Sequence, residues 1–491
     1  MADYDLAIIG GGLNGTSVAR DAAGRGLRVV LIEQGDLASA ASAAGSPLIH
    51  GDPALLEHRR WWRVRTQIAE RERWIANAPH LVRPMRFAIP LHPRERTSSV
   101  LRAGLLFYDR LAGATVLPPS QTVDVTHHPI GNPLQRPFGI AFEYSDGLAD
   151  ATRLVVANAI GAAERGAVIM TGARCVRAER ESTWRLAVID RGHRRLITAR
   201  ALANTTGAWA QMVNETILRQ PPLRRQLHTV QASQIILPRL FETDNVYVFQ
   251  NNDGRLIFAS PLEGDFTLVG SVTRAFTGDP AIVAMPAADV TYLCDALARY
   301  LRRSLYPTDV VRAVSGVNLA QIVKGLPRDG VLLFEHGRRR APLITMLGGE
   351  ITTSRRRAER AVSLLTPFYP MSPPWTATAR LPGGDFAWDR FDAEVDVARE
   401  RWRFLGEREA QRLVGAYGSR LADVLGTAKS RDELGQAFGP ELTEAEVRHL
   451  MTKEWARFPE DILWRRSKLG LTMEANDREA LAVFMGSVTL F

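Results

Sequence analysis

Apolar and polar positions alternate in blocks near the start of the chain, in the order strand, helix, strand. Residues 6–9 (LAII) and 28–32 (RVVLI) are short, nearly continuous apolar runs, which is typical of strands in the interior of a sheet. Residues 16–24 lie between them and predict a helix that ends at a glycine. This order predicts a βαβ unit and an α/β protein.

Three glycines and one acidic residue give this unit a specific chemistry. Gly10, Gly12 and Gly15 form G-x-G-x-x-G between the first strand and the helix, and Glu33 closes the second strand. In this context the glycines permit a tight turn and the close approach of a pyrophosphate, and the acid accepts the ribose hydroxyls. The pattern predicts a dinucleotide site, and Glu33 argues against the 2′-phosphate of NADP.

Two later segments favour FAD over NAD. Residues 200–210 (RALANTTGAWA) predict a buried strand that runs into a Thr-Gly pair, and residues 345–361 (TMLGGEITTSRRRAERA) predict a strand, a double-glycine turn and a basic helix. They resemble the strand that closes the FAD domain and the last FAD-binding element of two-dinucleotide-type flavoproteins. We expect the double-glycine turn to hold the flavin near N1 and C2, where a helix N-terminus stabilises the negative charge that develops on reduction.

Further segments extend the resemblance over nearly the whole chain. They are, in order, GGGLNG at 10–15, SPLIHG at 46–51, APHLVRPMRFAIP at 78–90, FEYSDGLADATRLVVANA at 142–159, NTTGAW at 204–209, GDP at 278–280, SGV at 315–317, LPGG at 381–384 and LWRRSKLGL at 463–471. Several are long, and together they resemble the FAD-dependent glycerol-3-phosphate dehydrogenase family.

The resemblance implies a fold with three parts. We expect a two-dinucleotide-type Rossmann domain that binds FAD, an inserted α+β substrate domain with a mixed sheet, and a C-terminal all-α domain. The implied boundaries are 1–75, 145–225 and 335–375 for the FAD domain, 76–144 and 226–334 for the substrate domain, and 385–491 for the helical domain. The helical domain carries no candidate chemistry.

The resemblance also implies which residues bind the cofactor. We expect non-covalent FAD, because nothing around these motifs requires a covalent attachment. The expected FAD-binding residues are Gly10, Gly12, Leu13, Asn14, Gly15, Glu33, Gln34, Ser42, Ser46, Leu48, Thr206, Gly207, Gly348, Gly349, Ile351 and Thr352.

The positions that hold the substrate in this family are different here. Ala54 and Asn318 stand where the family has arginines, and Glu350 stands where it has the lysine of Gly-Gly-Lys-Leu-Thr-Thr. Gln234 replaces a histidine that is a candidate catalytic base in the family. Because a phosphate dianion is held by guanidinium and ammonium groups, these exchanges disfavour the family's usual phosphate anchor.

These departures predict a changed substrate. We expect hydride transfer from a secondary alcohol or amine carbon of a small, polar, polyol-like molecule to flavin N5. Glu350 and His50 are the candidate bases, and Asn318 and Gln234 are further candidates for the catalytic site. Two alternatives stay open, namely a glycerol-3-phosphate dehydrogenase whose phosphate contacts have moved and a flavin-binding protein without turnover.

Composition narrows the remaining choices of location and partner. The net charge is +9, but no nucleic-acid-binding motif is present, so we predict no nucleic-acid partner. The two cysteines are not spaced as metal ligands, so we predict no metal site. No apolar run is long enough to span a membrane, and we expect a cytoplasmic protein. Residues 58–75 combine arginines with apolar residues at helical spacing, which predicts either contact with a membrane surface or internal packing. The resemblance also implies that a quinone or another molecule accepts the electrons, and it leaves open whether the protein forms a homodimer.

Overall fold

A computed structural model describes residues 2–56, 58–91, 98–113, 115–135, 138–223, 227–323, 326–327 and 329–489. The strands of this part of the chain are β1 Tyr4–Ile9, β2 Val29–Glu33, β3 Leu48–Ile49, β4 Val82–Leu91, β5 Gln121–Asp124, β6 Ile140–Ala149, β7 Val168–Thr171, β8 Ala173–Arg180, β9 Trp184–Asp190, β10 His193–Asn204, β11 His228–Pro238, β12 Val246–Gln250, β13 Leu256–Leu262, β14 Phe266–Ala275, β15 Arg312–Ala320, β16 Ile322–Val323, β17 Leu326–Pro327, β18 Val331–Gly337 and β19 Arg340–Leu347. The α-helices are α1 Leu13–Gly24, α2 Ala41–Ala44, α3 Trp61–Asn77, α4 Ser98–Ala112, α5 Ala151–Ala163, α6 Ala210–Met212, α7 Ala287–Ala298, α8 Ser354–Ser363, α9 Phe391–Arg401, α10 Glu407–Tyr417, α11 Ala422–Leu425, α12 Glu444–Lys453 and α13 Ala475–Thr489.

The first sheet has the strand order β18-β19-β10-β1-β2-β7, and the β8–β9 hairpin joins it through β10. The strands β19, β10, β1, β2 and β7 are parallel, as the βαβ pattern predicts. Helices α1, α5 and α8 cover one face through side chains such as Val18, Val155 and Val362. The hairpin covers the other face with Trp184 and Val188. The central strands are therefore buried on both sides, which explains their continuous apolar runs.

The second sheet is mixed and has the order β15-β11-β14-β13-β12-β4-β6-β3, with β5 paired to β6. Its pairs are antiparallel except for β12 and β4, which run parallel. Helix α7 packs on it through Leu293 and Leu297. Helices α3 and α4 pack in a separate cluster that includes Val64 and Tyr108. Strand β3, Leu48–Ile49, belongs to this second sheet, and strand β18, Val331–Gly337, belongs to the first sheet. The expected domain boundaries stay a prediction.

Helices α9 to α13 form a separate apolar core at the C-terminal end, with Phe438, Leu442 and Leu450 among its most buried members. The expected architecture of a Rossmann-type domain, a domain with a mixed sheet and a C-terminal all-α domain is confirmed.

Helix α3 falls in the segment for which membrane contact or packing was expected. Three of its predicted apolar positions, Val64, Ile68 and Ile75, are buried inside the protein. Its first residues, Trp61 and Trp62, are exposed and stack with ring centroids 4.1 Å apart. The apolar stripe therefore packs on the second sheet and its surroundings, and only the start of the helix presents apolar rings to the outside. Within the described residues, no helix is both long and apolar enough to cross a membrane.

Candidate active site

A cavity of about 660 Å³ lies where the carboxyl ends of β1, β2 and β10 meet strand β15 of the second sheet. Its volume is within the range of roughly 300–1,000 Å³ that is usual for cofactor and ligand sites. The cavity wall contains most of the residues expected to bind FAD, namely Gly10, Gly12, Leu13, Asn14, Glu33, Gln34, Ser42, Ser46, Leu48, Thr206, Gly207, Gly348, Gly349 and Ile351. Gly15 and Thr352, which were also expected to bind FAD, do not line the cavity but adjoin residues that do: Gly15 packs against Gly10, and Thr352 is bonded to His50.

The first glycine turn has the close packing that a pyrophosphate site needs. Gly10 has φ +110°, and a Cβ there would lie 2.7 Å from the carbonyl oxygen of Thr205. A Cβ on Gly15 would lie 1.9 Å from the carbonyl oxygen of Gly10, so glycine is required for the turn itself. Gly12 precedes the first residue of α1, and the backbone N–H groups at a helix N-terminus favour an anion. These residues fit the pyrophosphate of FAD.

Glu33 lies at the end of the cavity where the adenosine of FAD is expected. Its carboxylate accepts hydrogen bonds from the backbone N–H groups of Gly11, at 2.6 Å, and Gly35, at 2.7 Å. Burial raises the pKa of Glu33, although these backbone donors oppose the rise. A carboxylate at the end of the second strand fits the hydroxyls of the adenosine ribose.

The double-glycine turn at the opposite end is fastened to the start of α1. Gly348 and Gly349 have φ values of +58° and +101°, which favour glycine. The Asn14 amide donates to the Gly348 carbonyl at 3.1 Å, and Arg357 donates to the Asn14 side-chain oxygen at 3.1 Å. A Cβ on Gly349 would lie 2.2 Å from the guanidinium carbon of Arg357. The turn therefore has a fixed position at the end of the cavity where the flavin is expected.

Glu350, the first residue after this turn, is held by side chains from α3. Its carboxylate forms an ion pair with Arg63 and accepts a hydrogen bond from the Gln67 amide. Its backbone N–H donates to Asp329 at 3.1 Å. Enclosure in the cavity wall raises the pKa of Glu350 above its ordinary value, and Arg63 opposes this rise. Glu350 therefore faces an arginine and an amide.

A second arginine lies beside the same turn. One Arg357 nitrogen donates to the Asp329 carboxylate at 2.9 Å, to the Glu350 carbonyl at 2.8 Å and to the Thr353 hydroxyl at 2.6 Å. Arg357 also lines the cavity. Arg63 therefore contacts the Glu350 carboxylate and Arg357 contacts the Glu350 carbonyl, and each arginine is matched by a carboxylate.

The remaining candidates divide between the cavity and its supports. His50 and Asn318 line the cavity. The Thr352 hydroxyl accepts a hydrogen bond from the His50 backbone at 3.1 Å, and the Thr352 carbonyl accepts one from Trp74 at 2.9 Å. The buried Gln234 amide donates to the carbonyls of residues 44 and 45, at 2.8 and 3.1 Å, and is not part of the cavity wall. This placement suits Gln234 to holding the wall segment rather than to contact with a substrate.

Sequence reasoning did not single out Gln67, Asp329 or Arg357, and it placed Arg63 in a segment for which either membrane contact or internal packing was expected. The sequence did indicate that Arg63 and Gln67 act together, because they are four residues apart and therefore share a face of α3. Arg357 is likewise four residues after Thr353, with which it forms a hydrogen bond. What the sequence does not show is that this face of α3 meets Glu350, which is 287 residues away from Arg63.

Comparisons with known proteins agree with the geometry. A family profile described as FAD dependent oxidoreductase matches residues 5–355, and one described as the C-terminal domain of alpha-glycerophosphate oxidase matches residues 374–486. The fold and the glycine-lined cavity thus define a flavin-dependent oxidoreductase that binds FAD.

Curated relatives narrow this class. A glycerol-3-phosphate dehydrogenase from Pseudomonas aeruginosa is 39% identical over 494 residues, covering 99% of this chain and 95% of the relative. A D-erythritol 1-phosphate dehydrogenase from Brucella abortus is 39% identical over 496 residues, covering 99% and 98%. The chain belongs to the FAD-dependent glycerol-3-phosphate dehydrogenase family. Among solved structures, the glycerol-3-phosphate dehydrogenase from Bacillus halodurans, complexed with FAD, matches with a TM-score of 0.77 at 22% identity, covering 99% of this chain and 90% of that one.

Proposed function

We propose that this protein oxidises a secondary alcohol or amine carbon of a small polyol-like substrate without the family's usual phosphate anchor. The observation that carries the proposal is the set of contacts around Glu350. A carboxylate paired with Arg63 and bonded to Gln67 lies where the family has a lysine, and Ala54 and Asn318 lie where it has arginines.

The local charges support a substrate with hydroxyl groups at this point. Arg63 is matched by Glu350, and Arg357 is matched by Asp329 at 2.9 Å. A phosphate dianion would have to compete with these carboxylates for the guanidinium groups, and two opposite charges at 4 Å interact by about 1 to 4 kcal/mol in a partly solvated site. A polyol has no such competition, because each hydroxyl both donates to a carboxylate and accepts from an arginine or an amide.

Glu350 is the candidate base of the reaction. Bound FAD supplies the hydride acceptor at flavin N5. As the substrate carbon loses its hydride, the Glu350 carboxylate accepts the hydroxyl proton, and a carbonyl product is left. A raised pKa brings the carboxylate closer to the operating pH, which makes it a better base. His50 is the second candidate, because it also lines the cavity.

A second function is favoured by a different observation. Arg63 and Arg357 are close to the double-glycine turn, so a phosphorylated substrate could be held by arginines from new positions if the carboxylates are displaced. The names of the two curated relatives, which refer to glycerol 3-phosphate and D-erythritol 1-phosphate, support this alternative. A flavin-binding protein without turnover is the third candidate.

Anaerobic reduction of the bound flavin separates the three candidates. The purified protein is mixed in turn with glycerol, erythritol, amino-polyols, glycerol 3-phosphate and D-erythritol 1-phosphate, and loss of the flavin absorbance is followed in time. We expect the fastest reduction with a substrate that lacks phosphate. Faster reduction by either phosphate ester would establish the second candidate. Reduction by dithionite but by none of these compounds would favour the third.

Membrane-surface contact is the second part of the proposal, with a quinone as electron acceptor. Five exposed apolar side chains on two packed helices support it, namely Trp61 and Trp62 on α3 and Val100, Leu106 and Phe107 on α4. Arginines adjoin the tryptophans in sequence, and this combination is typical of a surface that binds anionic lipid.

Sedimentation with anionic vesicles tests this contact. Replacing Arg59 and Arg60 with glutamine is expected to release the protein at moderate salt, because each basic residue near a membrane surface contributes about 1 kcal/mol. Arg191, in the β9–β10 turn, and Arg194, near the start of β10, are both exposed and provide a matched control when replaced in the same way. Equal release by both pairs, or no binding of the unaltered protein, would contradict the proposed surface.

A further inference from the structure

The loop that follows β2, residues 34–38, forms the outer wall of the adenosine end of the cavity. Gly35 donates its backbone N–H to the Glu33 carboxylate at 2.7 Å, and the same carboxylate accepts from Gly11 at 2.6 Å. The Ala38 N–H donates to the Gly11 carbonyl at 3.2 Å. The loop and the first glycine turn are thus joined through Glu33, so the position of the loop fixes the geometry available to the adenosine half of FAD.

The side chain of Asp36 projects from this loop into the C-terminal part of the chain. Arg466 binds its carboxylate with two hydrogen bonds, at 2.8 and 2.7 Å, and Arg465 adds a third from Nε at 2.5 Å. The Arg466 side chain is fully buried, and that of Asp36 is 5% exposed. A bidentate arginine–carboxylate pair of this kind fixes orientation as well as distance.

A third arginine of the C-terminal part holds the neighbouring turn. Arg457 donates to the carbonyl of Thr171 at 3.3 Å. The next residue, Gly172, donates its N–H to the carbonyl of Gly35 at 2.9 Å. A Cβ on Gly172 would lie 1.7 Å from an Arg457 nitrogen, so the arginine packs directly on this glycine. The loop is therefore supported by the C-terminal part at two places.

Buried charges on both sides of this contact are balanced. Arg466 also donates to the carbonyl of Glu454 at 2.8 Å, and the Glu454 carboxylate forms an ion pair with Arg153 on α5. Arg465 pairs with a second carboxylate, Asp461. Removing one partner of such a network leaves a buried charge without compensation, which is far more costly than removing an exposed pair.

We propose that Arg465 and Arg466 are positioning residues for FAD: they hold Asp36, and thereby loop 34–38 and Glu33, in the arrangement that binds the adenosine half of the cofactor. The C-terminal helical domain then sets the affinity for FAD without contacting it. This inference depends on the assignment of Glu33 to the adenosine ribose and is independent of the substrate.

The test compares FAD affinity among variants of the full-length holoenzyme. Asp36→Asn and Arg466→Gln each remove one side of the bidentate pair, and the double variant removes both. The control is Arg412→Gln, because Arg412 forms a bidentate pair with Glu446, at 2.8 Å for both bonds, inside the C-terminal domain and away from the loop. FAD release is measured by the rise in flavin fluorescence on serial dilution, and domain stability by thermal unfolding.

We expect each single variant to raise the Kd for FAD at least tenfold, which corresponds to about 1.4 kcal/mol. The double variant is expected to be no worse than the more affected single variant, because the two residues act through one contact. Arg412→Gln is expected to lower the unfolding temperature and leave the Kd unchanged.

Two results would overturn the proposal: an unchanged Kd in soluble Asp36→Asn, or an equal rise in Arg412→Gln, which would indicate general destabilisation. If Arg466→Gln proves insoluble, Arg465→Gln takes its place in the comparison of single and double variants with Asp36→Asn, because Arg465 also contacts Asp36.

Discussion

The two ends of the cavity are built in different ways. At the adenosine end, Gly10, Gly15 and Glu33 belong to one segment of the chain, and their roles follow from backbone geometry. At the other end, which we call the substrate end after the proposed function, Glu350 is held by Arg63 and Gln67 from a helix almost three hundred residues earlier in the chain. The glycine turn of the first end depends on where the backbone can go, although arginines from the C-terminal part hold the loop that follows it, and the second end depends on which side chains meet.

This difference predicts which positions can be substituted. A Cβ on Gly15 would overlap the Gly10 carbonyl, so few substitutions are compatible with the cofactor turn. Replacing Glu350 with a lysine would leave the backbone of the double-glycine turn intact, because Gly348 and Gly349 remain. We therefore expect the first glycine turn to constrain the sequence tightly, and the double-glycine turn to keep its backbone geometry when the charge at position 350 changes.

The largest effect is expected at the cofactor end. Gly12→Val places a branched side chain where the pyrophosphate approaches, and even a Cβ there would lie 3.1 Å from the Ser42 hydroxyl. We expect the Kd for FAD to rise by at least about a hundredfold while the far-ultraviolet circular dichroism is retained. Gly104→Val on the exposed side of α4 is a control, because a Cβ at that glycine meets nothing within 4 Å. Full FAD occupancy in Gly12→Val would show that this turn does not bind the pyrophosphate.

A selective loss of turnover is expected at the substrate end. Glu350→Gln keeps the size of the side chain but cannot accept the substrate proton, so kcat should fall by about 10²-fold or more. The flavin content should stay normal, because the change does not alter the double-glycine turn. His50→Gln provides the comparison, since it tests the other candidate base. If His50→Gln lowers kcat and Glu350→Gln does not, His50 is the base.

A smaller effect is expected from rebuilding the family's cations. Ala54→Arg, Asn318→Arg and Glu350→Lys together should lower the KM for glycerol 3-phosphate about tenfold, since a hydrogen bond to a charged group contributes about 1.5 to 3 kcal/mol and part of this is offset by the nearby Arg63. A variant with glutamine at 54 and 318 and methionine at 350 controls for size without charge. Equal KM values in both triple variants would show that charge at these positions does not select the substrate.

The smallest expected effect is a change in the shape of the pH profile. Enclosure raises the pKa of Glu350 above its ordinary 4.5, so the carboxylate becomes protonated, and loses its capacity as a base, at a higher pH than an exposed glutamate. We expect kcat/KM to fall on the acid side with an apparent pKa above 4.5. The residual activity of Glu350→Gln should lack this acid limb. An acid limb that is unchanged in that variant would assign the limb to a group other than Glu350.

Much of the cofactor end could be predicted from sequence because its signals are local. The glycine spacing, the strand–helix–strand order and the terminal Glu33 all lie within the first 33 residues, and they specify a turn and its ligand together. The double-glycine turn could be predicted for the same reason. The assignment of individual residues to FAD atoms remains a prediction.

The substrate end could be predicted only as a set of departures from a family pattern. The exchanges at Ala54, Asn318 and Glu350 are visible in the sequence, but the partners of Glu350 depend on how α3 packs against the turn after β19. The pattern of α3 left membrane contact and internal packing both open, because periodicity does not distinguish a helix that packs on a sheet from one that lies on a membrane. Val64 and Ile68 are buried, so packing accounts for most of that pattern.

The spacing of Arg63 and Gln67 has an evolutionary consequence. The two residues are one helical turn apart, so a segment of five residues supplies both side chains that bind Glu350. A single change at position 63 leaves an enclosed carboxylate without its counterion, and a single exchange to lysine at position 350 leaves two cations side by side. Each lone step is therefore unfavourable, whereas the paired change is not. Epistasis of this kind predicts that the helical turn and residue 350 are inherited together, and that relatives with another substrate preference differ at both.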